Sequence, residues 1–143
     1  MLELASVPGS VPSDHDAPFE PQVPRLPAHE KINYVEFPSQ DLPATKRFFS
    51  DAFGWTFEDY GPDYSAFTGE CLDGGFFRSK LAGRTENGGA LLVFYSADLE
   101  DTLAKVVAAG AENAKPVFSF PGGRRFHFIE PGGNAFAVWS DPV

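Results

Sequence analysis

Asp41-Leu42-Pro43-Ala44-Thr45 opens a segment that closes at Gly54, and Asp98-Leu99-Glu100-Asp101-Thr102 opens another that closes at Gly110. Each follows a strand-like run, residues 32–38 before the first and 90–95 before the second. A unit longer than one helix, present twice, implies two similar modules with a site between them.

Working outward, each segment has the grammar of a capped helix. Asp41 and Asp98 are good N-cap residues, and Pro43 is tolerated in a first turn, where its missing amide would have no partner anyway. Phe49 and Phe53, with Phe48 and Ala52, give the first helix an apolar stripe at a spacing of four. Leu99, Leu103, Val106 and Val107 are expected on one face of the second. Asp101, three residues after Asp98, approximates a capping box. Gly54 and Gly110 end the two helices.

Residues 55–59, 64–68 and 75–80 then read as strands, separated by turns at Gly61-Pro62-Asp63 and Asp73-Gly74. Residues 84–89 are polar and Gly-containing, a connection. After the second helix come strands at 116–120, 125–129 and 135–139, with Pro121-Gly122-Gly123 and Pro131-Gly132-Gly133-Asn134 as turns. Both halves therefore read β-α-β-β-β. The fold class is α+β: two repeated βαβββ modules forming a cup-shaped, partly open mixed β-sheet with helices outside. Module one covers 31–83 and module two 89–142, within one domain of 31–143. Residues 1–30 form a Pro-rich extension, with Pro8, Pro12, Pro18, Pro21, Pro24 and Pro27 among Ser13, Asp14, Asp16 and Glu20. Such a stretch is a solvated tail, or an arm anchored by Phe19, Val23 and Leu26.

Bulk properties narrow the function. A chain of 143 residues, 43 % hydrophobic and with fifteen Phe, can bury a core without staples. The net charge of −9 argues against nucleic acid, which needs clustered Lys and Arg, and favours cationic or neutral small molecules. Cys71 is the only cysteine, so no intrachain disulfide forms and a reducing compartment is implied. No apolar run reaches the roughly 18 residues of a membrane span, and the start lacks the pattern of a secretory signal. The expected location is cytoplasmic, away from membranes.

The sequence resembles the vicinal-oxygen-chelate superfamily of glyoxalases, bleomycin-resistance proteins, fosfomycin-resistance enzymes and extradiol dioxygenases. The resemblance rests on Asp41-Leu42 followed by Phe48-Phe49 and Phe53-Gly54-Trp55, on Asp98-Leu99 followed by Ala109-Gly110-Ala111, and on Glu130-Pro131-Gly132-Gly133-Asn134. The last is similar to the family's Asp-Pro-x-Gly-Asn turn, with Glu in place of Asp. It covers residues 31–141 and speaks to fold more than to reaction.

In that family a divalent metal is held at the centre of the cup. One ligand lies in the first strand of each module, seven residues before the capping Asp, and another six residues after the Pro of the Pro-Gly-Gly-Asn turn. Those positions are Tyr34, Leu91 and Ala137 here. Leu and Ala offer no lone pair and neutral Tyr is a poor ligand, so no metal and no other cofactor are expected at the usual positions.

Strand alternation places Glu36 beside Tyr34, groups Leu91, Val93 and Tyr95, and puts Arg125 on the face of His127, which the resemblance aims at the cavity. The expected ligand-binding set is Tyr34, Glu36, Leu91, Val93, Tyr95, Arg125 and His127, with Glu36 and His127 as acid–base candidates. The same residues admit quieter roles: Glu36 and Arg125 paired or solvated, His127 a satisfied edge-strand histidine, and Tyr34, Tyr95 and Trp139 core packing. His15 and His29 fall in or beside the tail, and Cys71 has no basic neighbour in sequence to activate it.

Three functions compete. The first is metal-free binding of a small aromatic or cationic molecule, similar to bleomycin-resistance proteins. The second is a glyoxalase-type lyase or isomerase, or a metal-independent enzyme using Glu36 and His127. The third is a dimeric interaction or regulatory module. The resemblance implies a homodimer and leaves open whether modules pair within or between chains.

Overall fold

Two βαβββ modules pack through a shared aromatic core in the computed structural model, which describes residues 26–143. Expectations for Phe19, Val23, His15 and most of the Pro-rich stretch fall outside those residues. Of the described part, Leu26 is exposed, and His29 lies at the surface 3.5 Å from Glu30.

Module one consists of β1 (Tyr34–Ser39), α1 (Leu42–Phe53), β2 (Phe57–Asp59), β3 (Tyr64–Phe67) and β4 (Asp73–Arg78). Module two consists of β5 (Leu92–Tyr95), α2 (Leu99–Ala108), β6 (Glu112–Phe120), β7 (Gly123–Ile129) and β8 (Ala135–Ser140). The strand orders are β1-β4-β3-β2 and β5-β8-β7-β6, with the first strand of each module parallel to its last. No closed barrel forms among the described residues, and the α+β, cup-like two-module architecture is as the sequence implied.

The helix termini follow their local chemistry. Asp41 accepts the Ala44 amide and Asp98 the Asp101 amide, each worth about 1 kcal/mol as a cap. Gly54 adopts a left-handed φ of 74° at the end of α1. The stripe of α2 is narrower than its sequence implied: Leu99 and Val106 are buried, Leu103 is half-buried and Val107 is exposed. Position 107 lies past the edge of the roughly 100° arc that a surface helix buries.

One turn is misread from sequence. Asp73-Gly74 lies inside β4, and the reversal falls at residues 68–72. The glycines there answer a packing need. A Cβ on Gly74 would overlap the Val35 carbonyl and the Phe67 ring, and one on Gly75 would overlap the Tyr64 phenol.

Strand alternation gives each sheet two unlike faces. One carries Phe37, Phe67 and Phe76 in module one and Phe126, Phe128, Phe136 and Val138 in module two, all buried. These faces meet, with α1 between them. The Phe37 ring meets Phe136 at 5.2 Å and Phe48 meets Phe128 at 5.6 Å, both tilted, while Phe53 stacks on Phe94 at 4.8 Å. Each buried Phe contributes about 1.5–3 kcal/mol, so this layer holds the modules together.

A polar seam runs beside that layer. The Glu130 carboxylate, almost fully buried, accepts from Thr45 Oγ1 at 2.9 Å, the Gly132 amide at 2.6 Å and Asn134 Nδ2 at 2.7 Å. Asn134 also donates to the Pro38 carbonyl and accepts the Gly83 amide, and the Gln40 amide donates to the Gly132 carbonyl. The Pro-Gly-Gly-Asn turn thus joins module two to β1 and α1 of module one. Burial pushes the Glu130 carboxyl up, and its donors pull it partly back.

Candidate functional site

The faces opposite the aromatic core carry the residues singled out from sequence, in two separate patches. On module one, Tyr34 and Glu36 project from β1 on the exposed side while Val35 and Phe37 turn inward. The Tyr34 and Tyr64 hydroxyls lie 2.6 Å apart, and Tyr64 donates to Glu36 at 2.9 Å. Tyr64, which the sequence reading missed, pairs across the sheet with Phe77, two residues beyond the Gly75 that opposes Glu36. Absence of a Cβ at Gly75 leaves the space its ring occupies. Desolvation, followed by the bonds to Tyr34 and Glu36, raises the Tyr64 phenol far above its ordinary range, so it stays a donor.

On module two, Val93, Tyr95, Arg125 and His127 share a face with Ala137 and Trp139, because Val93 and His127 both oppose Ala137 while Tyr95 and Arg125 both oppose Trp139. Leu91 falls just before β5 and is half-buried. Arg125 donates from Nε to His127 Nε2 at 3.2 Å, with Nη2 at 3.0 Å. Its guanidinium lies 5.9 Å from the Phe118 ring centre and 5.8 Å from that of Phe120. Tyr95 meets Trp139 edge-on at 5.0 Å, and its hydroxyl donates to Asp141. Val93, Phe120, Gly122, Arg125 and Trp139 line a shallow concavity of about 320 Å³.

This histidine is not at an edge: β7 is flanked by β6 and β8. Desolvation first, then the charges of Arg125 and Lys115, lower its pKa, so it is neutral at neutral pH with Nε2 as acceptor. Phe118 and Phe120 went unnoticed in sequence, although their spacing of two on a strand next to Arg125 is the signal that would have found them.

The donor set does not fit a metal. Ala137 is fully buried and, like Leu91, has no donor atom. Tyr34 is engaged with Tyr64, and the His127 Nε2 lone pair points at a guanidinium. Among the described residues no three His, Cys, Asp or Glu side chains are grouped to hold an ion.

The model of the Glyoxalase/Bleomycin resistance protein/Dioxygenase superfamily matches residues 31–138. The chain belongs to this superfamily. Solved glyoxalase-fold structures are similar throughout. One is a glyoxalase/bleomycin resistance protein/dioxygenase family enzyme from Burkholderia phytofirmans, with 18 % identity, 77 % of this chain and 98 % of that one covered, and a TM-score of 0.65. A lactoylglutathione lyase from Agrobacterium tumefaciens has 19 % identity, coverage of 79 % and 95 %, and a TM-score of 0.60. An antibiotic binding protein from a Streptomyces species has 17 % identity, coverage of 81 % and 99 %, and a TM-score of 0.58. At these identities the likeness is one of fold. No curated protein matches the chain.

The two patches lie on different sheets. The modules meet through Phe37, Phe48, Phe49 and Phe53 against Phe94, Phe128 and Phe136, all on the inner side. Tyr34 is 42 % exposed, Val93 43 % and Tyr95 55 %, values that a closed cavity between them would not leave. Among the described residues no helix is long and apolar enough to cross a membrane.

Proposed function

We propose that this superfamily member binds a small planar aromatic molecule carrying an acidic group, without a metal, on the Arg125 face of module two. The observation that carries the reading is the Arg125–His127 pair walled by Phe118, Phe120, Trp139 and Tyr95. Rings offer flat apolar area, and a guanidinium supplies charge-assisted hydrogen bonds to an oxyanion. The net charge of −9 favoured a cationic ligand, but this face carries Arg125 and Lys115, with the Asp141 carboxylate at its margin held by Tyr95. Local charge decides recognition. The antibiotic-binding relative adds weight to binding over turnover.

A homodimer fits the same geometry. β1 and β5 each stand at the end of a strand order, so among the described residues each has an edge without a strand partner. A second copy that sets its β5 against β1 would bring the Tyr34–Tyr64–Glu36 patch opposite Val93, Tyr95, Arg125 and His127. The cup would then be closed between chains, and the cytoplasm is the location we propose.

A lyase or isomerase finds less support. Glu36 and His127 lie on separate modules, and the ring nitrogen a base would use already accepts from Arg125.

Titration with 2-naphthoate, followed by tryptophan fluorescence, tests the reading. Binding should saturate, survive EDTA and weaken about 10- to 100-fold in Arg125→Ala, the loss expected for a charge-assisted hydrogen bond. Absence of saturation, or recovery of affinity only on adding zinc, would overturn it.

A further inference from the structure

A roomier cavity adjoins that face at Val93. It has a volume of about 540 Å³ and lies between the modules, on the inner side of β1 and along β5. Val35, Phe37, Trp55 and Phe67 form its module-one wall, and β5 with Phe136 its module-two wall, so that it shares Val93 and Tyr95 with the Arg125 face. Apolar space of this size is within the range that encloses small ligands, roughly 300–1,000 Å³.

Polarity is confined to the rim. The loop between β3 and β4 crosses the mouth with Glu70, Cys71 and Leu72, and Cys71 holds a left-handed φ of 71°, unusual for a residue with a side chain. The Glu70 carboxyl lies by the Trp55 indole, whose N–H favours the anion, while burial, the larger effect, raises its pKa. It sets an acidic group at the edge of an aromatic chamber whose other walls carry no charge.

From this juxtaposition the geometry points to a second ligand site, one for a hydrophobic amine: an aromatic body seated against Trp55, Phe37 and Phe136, and a protonated nitrogen at Glu70. The pairing is the reverse of the Arg125 face, which takes an anion, so the two sites select different molecules. Charge complementarity favours this occupant over a second copy of the chain, whose β1 and β5 edges carry Val35 and Leu92 but no cation. The long-range field of a protein with a net charge of −9 adds to the local concentration of amines.

The experiment uses the full chain carrying Trp139→Phe, so that Trp55 is the sole tryptophan and the Arg125 face has a smaller wall. Binding that persists in this background belongs to the cleft, and its failure leaves the 2-naphthoate result standing. 1-Naphthylmethylamine should change Trp55 emission saturably, and 1-naphthoate should bind at least tenfold more weakly. Adding Glu70→Gln should cost the amine at least fivefold while leaving far-UV circular dichroism unchanged. No saturation, equal affinity for amine and acid, or indifference to Glu70→Gln would overturn the proposal. So would amine affinity that falls as rising protein concentration drives dimerisation, which would give the cleft to a second copy.

Discussion

Replacing Glu130 by Ala should destabilise the protein by about 2–4 kcal/mol, for reasons that can be followed atom by atom. Three donors converge on this buried carboxylate, but they do not suffer equally. Thr45 Oγ1 keeps Ser39 Oγ at 2.7 Å, and Asn134 Nδ2 keeps the Pro38 carbonyl. Among the described residues the Gly132 amide bonds to Glu130 alone, and an orphaned buried donor costs about 1–3 kcal/mol. A lost methylene and carboxylate leave a void between α1 and the turn, adding on the order of 1–2 kcal/mol. Relief from burying a carboxylate without a cation returns part of this. Urea unfolding followed by tryptophan fluorescence should show the midpoint falling by about 1–2 M at an ordinary m-value.

The pH dependence supplies an independent check. Burial raises the Glu130 pKa above its unfolded value, so the stability it contributes is complete below the unfolded pKa and is lost as pH rises through the folded one. Other carboxylates titrate alike in both proteins and cancel. The gap between wild type and Glu130→Ala should therefore narrow from acid toward pH 8. A gap below about 1 kcal/mol at every pH, or one that widens with pH, would refute the seam as described.

Gly75→Ala should displace the Tyr64 ring and break its bond to Glu36, costing about 1–3 kcal/mol in chemical denaturation. Asp98→Ala should remove the α2 cap and cost about 1 kcal/mol by the same measurement. His127 should titrate below the ordinary histidine value by NMR, and Arg125→Ala should raise it. Because its folded pKa is depressed, the stability it contributes is present above the unfolded pKa and lost as pH falls through the folded one.

Local chemistry was the legible part of the sequence. Asp41, Gly54 and Asp98 mark helix termini through groups within a few residues, and alternation in β7 sets Arg125 and His127 opposite Phe126 and Phe128 in any context. Asp73-Gly74 failed because turn glycines and strand glycines look alike in sequence; only the Val35, Phe67 and Tyr64 atoms crowding Gly74 and Gly75 tell them apart. Val107 failed because periodicity marks a face but not the width that the core will cover. The same limit explains the pocket. Alternation shows that Tyr34 and Glu36 share one side of a sheet, whereas which side meets the other module depends on how Phe37 and Phe136 pack over more than ninety residues of separation.

The residues at the centre of the glyoxalase fold bear on one another. Ala137 is small and buried, and it lies directly across from His127, with Arg125 one pleat away opposite Trp139. A side chain long enough to hold a metal at 137 would occupy the space between Val93 and His127, and a metal there would face the guanidinium of Arg125 at close range. A fixed positive charge therefore stands one pleat from Ala137, the position where the resemblance would put a metal ligand. A guanidinium is always protonated and donates along directions set by its plane, so it can orient an oxyanion but offers no open coordination position and no activated water. On the reading proposed above, such a face is suited to holding a molecule rather than to polarising it.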